Sequence, residues 1–168
     1  MKKIIVIGCS GSGKSVFSRE LNKLTGIPLI HLDNLYWNAD KSIVPKEEFA
    51  ARLKSAMSKD EWIIDGNYGS TMEMRMDACD TVFFFDLSTE VCLEGIRQRR
   101  GKPRIDIPWI EEEGEIDFEF LSFVERYNTD TRPCVIELVE KHSDKSIIIF
   151  KSRAESEEFL NKLKNELT

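Results

Sequence analysis

Residues 8–15 read Gly8-Cys9-Ser10-Gly11-Ser12-Gly13-Lys14-Ser15. They fill every fixed position of the pattern G-x-x-x-x-G-K-[ST]. An apolar run, Lys3 to Ile7, comes before them. After them Val16, Phe17, Leu21 and Leu24 fall near helical spacing, with Gly26 as a stop. Strand, small-residue turn and helix are the context in which such a loop cradles phosphate. Small residues let backbone N–H groups turn inward around an anion, and the helix N-terminus adds its partial positive charge. Gly8, Ser10, Gly11, Ser12 and Gly13 are therefore candidate nucleotide-phosphate ligands. Lys14 is expected to reach the β- and γ-phosphates, and Ser15 to hold Mg²⁺ through its hydroxyl. The glycine spacing is G-x-x-G-x-G, which excludes the G-x-G-x-x-G turn of dinucleotide-binding folds.

Outward from this loop the apolar runs recur. Pro28 to Asp33 predicts a second strand, WIIDG at 62–66 a third, TVFFFDL at 81–87 a fourth and KSIIIF at 145–150 a fifth. Between them, 46–59 predicts a helix with Phe49, Leu53, Ala56 and Met57 on one face. Ser88 or Thr89 is placed to cap another helix running to about Arg100, and Phe159, Leu160 and Leu163 mark a last one. Short apolar strands alternating with helices predict an α/β fold with a parallel sheet. The stretch 101–115 breaks the pattern with Gly101, Pro103, Pro108 and Gly114. It reads as an excursion above the sheet. No repeat or linker divides the chain, so one domain over 1–168 is expected, with the excursion at about 101–119 as a lid.

Ligands of open parallel sheets sit beyond the carboxyl ends of the strands. Asp33, Asp65 and Asp86 fall there. Asp65 is the first choice for an outer partner of Mg²⁺. Asp33 is a candidate to accept a proton from an acceptor hydroxyl or to help place the metal, and Asp86 reads best as a strand-end cap. Tyr36, Trp37, Asn67 and Tyr68 are candidate acceptor-binding groups, since rings and amides hold a base or sugar by stacking and hydrogen bonds. The other reading for Tyr36 and Trp37 is cover for the edge of the core. His31, between Ile30 and Leu32, reads as a near-core histidine. Arg75 is a candidate for an acceptor phosphate, with a surface arginine as the alternative. Residues 97–104, RQRRGKPR, place five cations in eight positions. Phosphoryl transfer needs cations over the equatorial oxygens of the moving group. Arg97 and Arg100 lead that list, with Arg99, Arg104, Arg126 and Arg132 behind them.

Composition narrows the partners. The chain has 168 residues, 41% hydrophobic and 32% charged, which suits a globular domain with a full core. Its net charge is −6. Proteins that grip duplex DNA through its phosphates usually carry a basic surplus, so direct nucleic-acid binding is not expected. No apolar run approaches the roughly 20 residues of a membrane span. The four cysteines are far apart in sequence and only two histidines are present. Neither a zinc nor a disulfide framework is indicated, and a cytoplasmic location is expected. No pattern in the sequence sets an oligomeric state.

The order of phosphate loop, HLDNLYW (31–37), WIIDGNY (62–68), an FDL strand end and an R-x-R-R helix end resembles the small P-loop kinases related to adenylate kinase. Within that group the chain is most similar to the bacterial DNA topology modulation (FlaR-like) proteins, over nearly its whole length. The resemblance implies a three-layer P-loop NTPase fold, with five parallel strands in the order 2-3-1-4-5 and a short lid. It implies ATP and Mg²⁺ as cofactors and transfer of the γ-phosphoryl to a small acceptor, a nucleotide or nucleoside. It places Arg97 and Arg100 in the lid-arginine region, and Lys151 to Ala154, with Arg153, where adenine packs. The chain departs from adenylate kinases after Asp65-Gly66. Asn67-Tyr68-Gly69 stands where they carry Phe-Pro-Arg, whose arginine grips AMP. The alternative to a kinase is an ATP-dependent regulator that affects DNA topology without turnover.

Overall fold

The computed structural model describes residues 1–109 and 117–167. Ile4 to Ile7 have no solvent exposure. They form the centre of β1 (Lys3–Gly8), which pairs in parallel with β3 (Trp62–Asp65) on one side and β4 (Thr81–Phe85) on the other. Outside these lie β2 (Leu29–His31) and β5 (Ser146–Phe150), giving the order β2-β3-β1-β4-β5. The order 2-3-1-4-5 and the parallel α/β class are those expected.

Parallel sheets are covered on both faces, so their central strands are apolar throughout. Alternate residues divide between two cores. Ile4, Val6, Phe83 and Phe85 face α1 (Lys14–Thr25) and α8 (Arg153–Leu167). Ile5, Ile7, Val82 and Phe84 face α3 (Lys46–Met57), α4 (Gly69–Ala78) and α7 (Arg132–Lys141). The Phe17 ring stands edge-on to Phe83, Phe85 and Phe150 at 4.9, 5.4 and 5.3 Å, the geometry that aromatic quadrupoles favour. This cluster fixes α1, and with it the loop in front of α1. The remaining helices are α2 (Leu32–Tyr36), α5 (Thr89–Arg99) and α6 (Phe118–Asp130).

Several boundaries differ from the sequence expectation. The second strand stops at His31, and Leu32 to Tyr36 turn into a helix, so Asp33 stands in the first turn of α2 and not on a strand. Helix α4 was not foreseen, because only Met72 and Met76 among its long side chains are apolar and buried. The segment after the excursion is two helices, broken at Thr131 with Pro133 in the first turn of α7. Val16 is 57% exposed, outside the Phe17–Leu21 stripe that makes the core contact. Of the expected excursion, 110–116 lie outside the described residues, as does most of the acid block at 111–119.

Candidate active site

The loop between β1 and α1 is held from outside by one cation. Arg153, the first residue of α8, donates from Nη2 to Gly11 O at 2.9 Å and Val91 O at 3.0 Å, and from Nε to Ser12 O at 3.4 Å. Two loop carbonyls, those of Gly11 and Ser12, are thus tied to α8, and the loop runs into the first N–H groups of α1, which have no partner within their helix. Loop and α5 meet backbone to backbone. A Cβ on Gly11 would lie 2.1 Å from Cys92 O, and one on Gly95 would lie 2.1 Å from Gly11 O. Lys14 is buried and its Nζ donates to Cys9 O at 2.7 Å.

The register of the sheet builds the floor of the site. His31 pairs with Asp65 across β2 and β3, and His31 Nδ1 lies 2.8 Å from Asp65 Oδ2. Asp65 is 4% exposed, and its other oxygen, Oδ1, is buried without a hydrogen-bond partner. An orphaned buried carboxylate oxygen is costly unless a cation or water meets it. Among the described residues no group of three His, Cys, Asp or Glu side chains is placed to hold a metal. Mg²⁺ takes one or two carboxylates, keeps waters and binds substrate phosphates. Asp65 Oδ1 and the Ser15 hydroxyl fit that ion. From the next loop, Asn67 Oδ1 accepts Gly8 N–H at 3.1 Å and ties β3 to the phosphate loop.

A cavity of about 1810 Å³ opens over these groups. Its lining includes the phosphate loop with Lys14 and Ser15, the floor with His31, Asp33 and Asp65, and the side walls with Trp37 and Tyr68. Arg99 and Arg100 at the end of α5, and residues 102–107 with Trp109, lie over it. Asp33 Oδ1 accepts the Tyr68 hydroxyl at 2.5 Å. Burial raises the Asp33 carboxyl above the usual carboxylate range; the Tyr68 bond opposes this, and the charge of Asp65 adds to it. Burial, with the charge of Asp33 beside it, pushes the Tyr68 phenol up. Above, Arg104 grips Asp106 from Nε at 3.2 Å and Nη2 at 2.9 Å. Burial alone would raise the Asp106 carboxyl, but this bidentate pair outweighs it, with help from the Ser15 hydroxyl, and holds it well below the usual range.

The fold is that of the small P-loop kinases. A shikimate kinase from Acinetobacter baumannii, solved with shikimate, is similar at TM-score 0.61 and 14% identity, over 100% of this chain and 96% of that one. A deoxyadenosine kinase from M. mycoides with bound dATP is similar at TM-score 0.54 and 15% identity, over 97% and 99%. A shikimate kinase from Bacteroides thetaiotaomicron gives 0.53 and 17%, over 98% and 96%. No family model and no curated protein matches the sequence.

The sequence candidates divide clearly in space. Gly8 to Ser15, Asp33, Trp37, Asp65, Asn67, Tyr68 and Arg100 meet at or beside the cavity. Tyr36 does not line it. Its ring packs against Phe49 and Tyr68 at 5.3 and 4.7 Å, so it closes the core edge. Arg75 is neither on the surface nor open to an acceptor phosphate. It is fully buried, and its guanidinium donates to the carbonyls of Gly66, Asn67 and Tyr68. Arg97 lies away from the lining, with a side chain that is 70% exposed and pairs with Glu94 at 3.5 Å. Arg153 lines the cavity, with the guanidinium bonds described above given to the loop carbonyls. Asp86 is a structural anchor, held by Arg132 at 2.6 Å and by Lys151. Sequence reasoning missed His31 as the partner of Asp65, and missed Asp106 and Trp109. The only available signal was the clustering of Arg104, Asp106 and Trp109 in the excursion.

Proposed function

We propose that the chain is an ATP-dependent phosphotransferase that moves the γ-phosphoryl group to a small acceptor. The observation that carries this is the sharing of one cavity by Lys14, Ser15 and Asp33. A binding or hydrolytic switch needs the loop alone, whereas a transferase also needs a second ligand site facing the γ-phosphate. Here that site has a carboxylate at its floor and rings at its wall. The kinase names of the proteins with similar folds and the resemblance of HLDNLYW and WIIDGNY support the same reading.

In this account the N–H groups of Ser10, Gly11, Gly13, Lys14 and Ser15, all in the cavity lining, bind the phosphates, and Arg153 steadies the loop by holding the carbonyls of Gly11 and Ser12. Lys14 leaves Cys9 O for the β- and γ-phosphate oxygens. Arg100, with Arg99, lies over the equatorial oxygens of the transferred group, where one cation is worth on the order of 10³-fold in rate. Ser15 and Asp65 would hold Mg²⁺, which would supply neutralisation of the charge that develops on the phosphates. His31 fixes the Asp65 carboxylate. Asp33 orients the acceptor and takes its proton. Residues 101–109 act as a lid within one domain spanning 1–168 and exclude water from the reaction.

An ATP-consumption screen over nucleosides, nucleotides, sugars and cofactor precursors tests this. Turnover that rises strongly with one acceptor and disappears in Lys14→Ala is expected. Consumption that no acceptor alters would overturn it.

A further inference from the structure

We propose that Asp106, carried by the lid, is a positioning residue of the Mg²⁺ site: its carboxylate accepts the hydroxyl proton of Ser15 and so leaves the lone pairs of that oxygen for the cation. This deepens the reading above. It rests on the assignment of the loop to ATP and Mg²⁺, whatever the acceptor.

A serine hydroxyl has one proton and two acceptor lone pairs. To hold a cation it has to aim lone pairs at the ion and give its proton to an acceptor elsewhere. Asp106 is placed as that acceptor. It lines the same cavity as Ser15, and the Ser15 hydroxyl bonds its carboxylate. A second residue marks a place for a cation independently. Asp65, in the same lining, is 4% exposed and keeps Oδ1 buried with no hydrogen-bond partner among the described residues.

The surroundings of Asp106 hold it still. It is 6% exposed, and Arg104 grips it from Nε at 3.2 Å and Nη2 at 2.9 Å. A bidentate arginine fixes the plane of a carboxylate and occupies one lone pair on each oxygen, which leaves room for a hydroxyl donor. The backbone on either side is fixed as well. Asn34 Nδ2, from α2, donates to Ile105 O at 3.1 Å, and Ile107 is buried. Trp109 stands edge-on to Trp37 at 5.7 Å. The lid is thereby seated on Asn34 and Trp37 at one end and delivers Asp106 to Ser15. Cation binding and lid seating become linked, so that each favours the other by the same factor.

The test uses the whole chain with a non-hydrolysable ATP analogue and follows Mn²⁺, in place of Mg²⁺, by electron paramagnetic resonance. Asp106→Ala is expected to weaken Mn²⁺ binding by about tenfold or more, the usual cost of removing a group that orients a metal ligand. Asp106→Asn keeps a neutral acceptor and is expected to fall between Asp106→Ala and wild type. In a Ser15→Ala background, Asp106→Ala is expected to cause no further loss. Calorimetry without metal is expected to show no loss of analogue affinity in Asp106→Ala, which also reports a folded phosphate loop. Equal losses of analogue affinity with and without metal would overturn the inference, because Asp106 would then only pack the lid. Tighter Mn²⁺ binding in Asp106→Ala, or a full further loss in the Ser15→Ala background, would overturn it too. None of these readouts needs an acceptor. The metal-specific loss supports the inference even if the acceptor screen shows no transfer, a result that would count against the kinase reading alone.

Discussion

Tyr68 donates its hydroxyl to Asp33 Oδ1 at 2.5 Å, across 35 positions of sequence. The backbone of Tyr68 has φ +30°, a conformation rare for a side chain other than glycine. Its carbonyl is held by Arg75 Nη2 at 3.0 Å. The buried guanidinium thus sets the loop that presents Tyr68, and Tyr68 sets the carboxylate. Burial pushes Asp33 up, and the Tyr68 bond pulls it back toward the ionised form that a base needs.

Tyr68→Phe removes that pull. The Asp33 carboxyl then titrates at higher pH, so a smaller fraction is ionised on the acid side. The acid limb of the kcat profile is expected to move to higher pH, with a larger loss at pH 6 than at pH 8. A uniform loss at every pH would mean that Tyr68 acts only on binding.

Arg153 is a positioning residue for the phosphate loop. Arg153→Ala leaves the carbonyls of Gly11, Ser12 and Val91 without this donor, and one hydrogen bond to a charged group contributes about 1.5–3 kcal/mol. Weaker nucleotide binding is expected together with a lower Tm measured without nucleotide. An unchanged Tm with the same loss of affinity would point to direct contact with the ligand.

Gly95→Ala tests the contact between loop and α5. The added Cβ would lie 2.1 Å from Gly11 O and 2.4 Å from Arg153 Nη2, so backbone has to move. Calorimetry is expected to show ATP affinity reduced by about tenfold or more, equivalent to about 1.4 kcal/mol. Wild-type affinity would contradict the packing described.

Asp86→Asn probes the anchor of α7. Its carboxyl is held below the usual range by Arg132, against burial and with help from Lys151. A depressed folded-state pKa stabilises the fold above the unfolded value of about 3.9, and that contribution is lost as pH falls through the folded value. Urea unfolding is expected to show the variant less stable at pH 7, with the gap narrowing below about pH 4. A gap independent of pH would assign the effect to packing.

The phosphate loop was legible because its signal is contiguous: eight residues carry the whole pattern. The strands were legible because burial on both faces makes them unbroken apolar runs. What escaped depends on register and rotation. His31 meets Asp65 only because β2 and β3 align at that pair, 34 positions apart. Arg97 and Arg100 look equivalent in RQRR, but α5 ends at Arg99 and Arg100 leaves with extended backbone, ψ 138°, into the cavity lining. Arg75 looked like a free cation because nothing local announces that three carbonyls wait for it. Asp106 was hidden in the same way, since its partner Arg104 and the Ser15 hydroxyl come together only when residues 101–109 fold over the loop.

The central claim is that nucleotide and acceptor share one cavity, so the γ-phosphoryl group passes directly between them. The most direct measurement follows ATP labelled in that group, with Mg²⁺ and the acceptor panel, in wild type and Lys14→Ala. The account predicts label in an acceptor with wild type and none with the variant. Label found only as free phosphate, released at the same rate with and without acceptors, would contradict it.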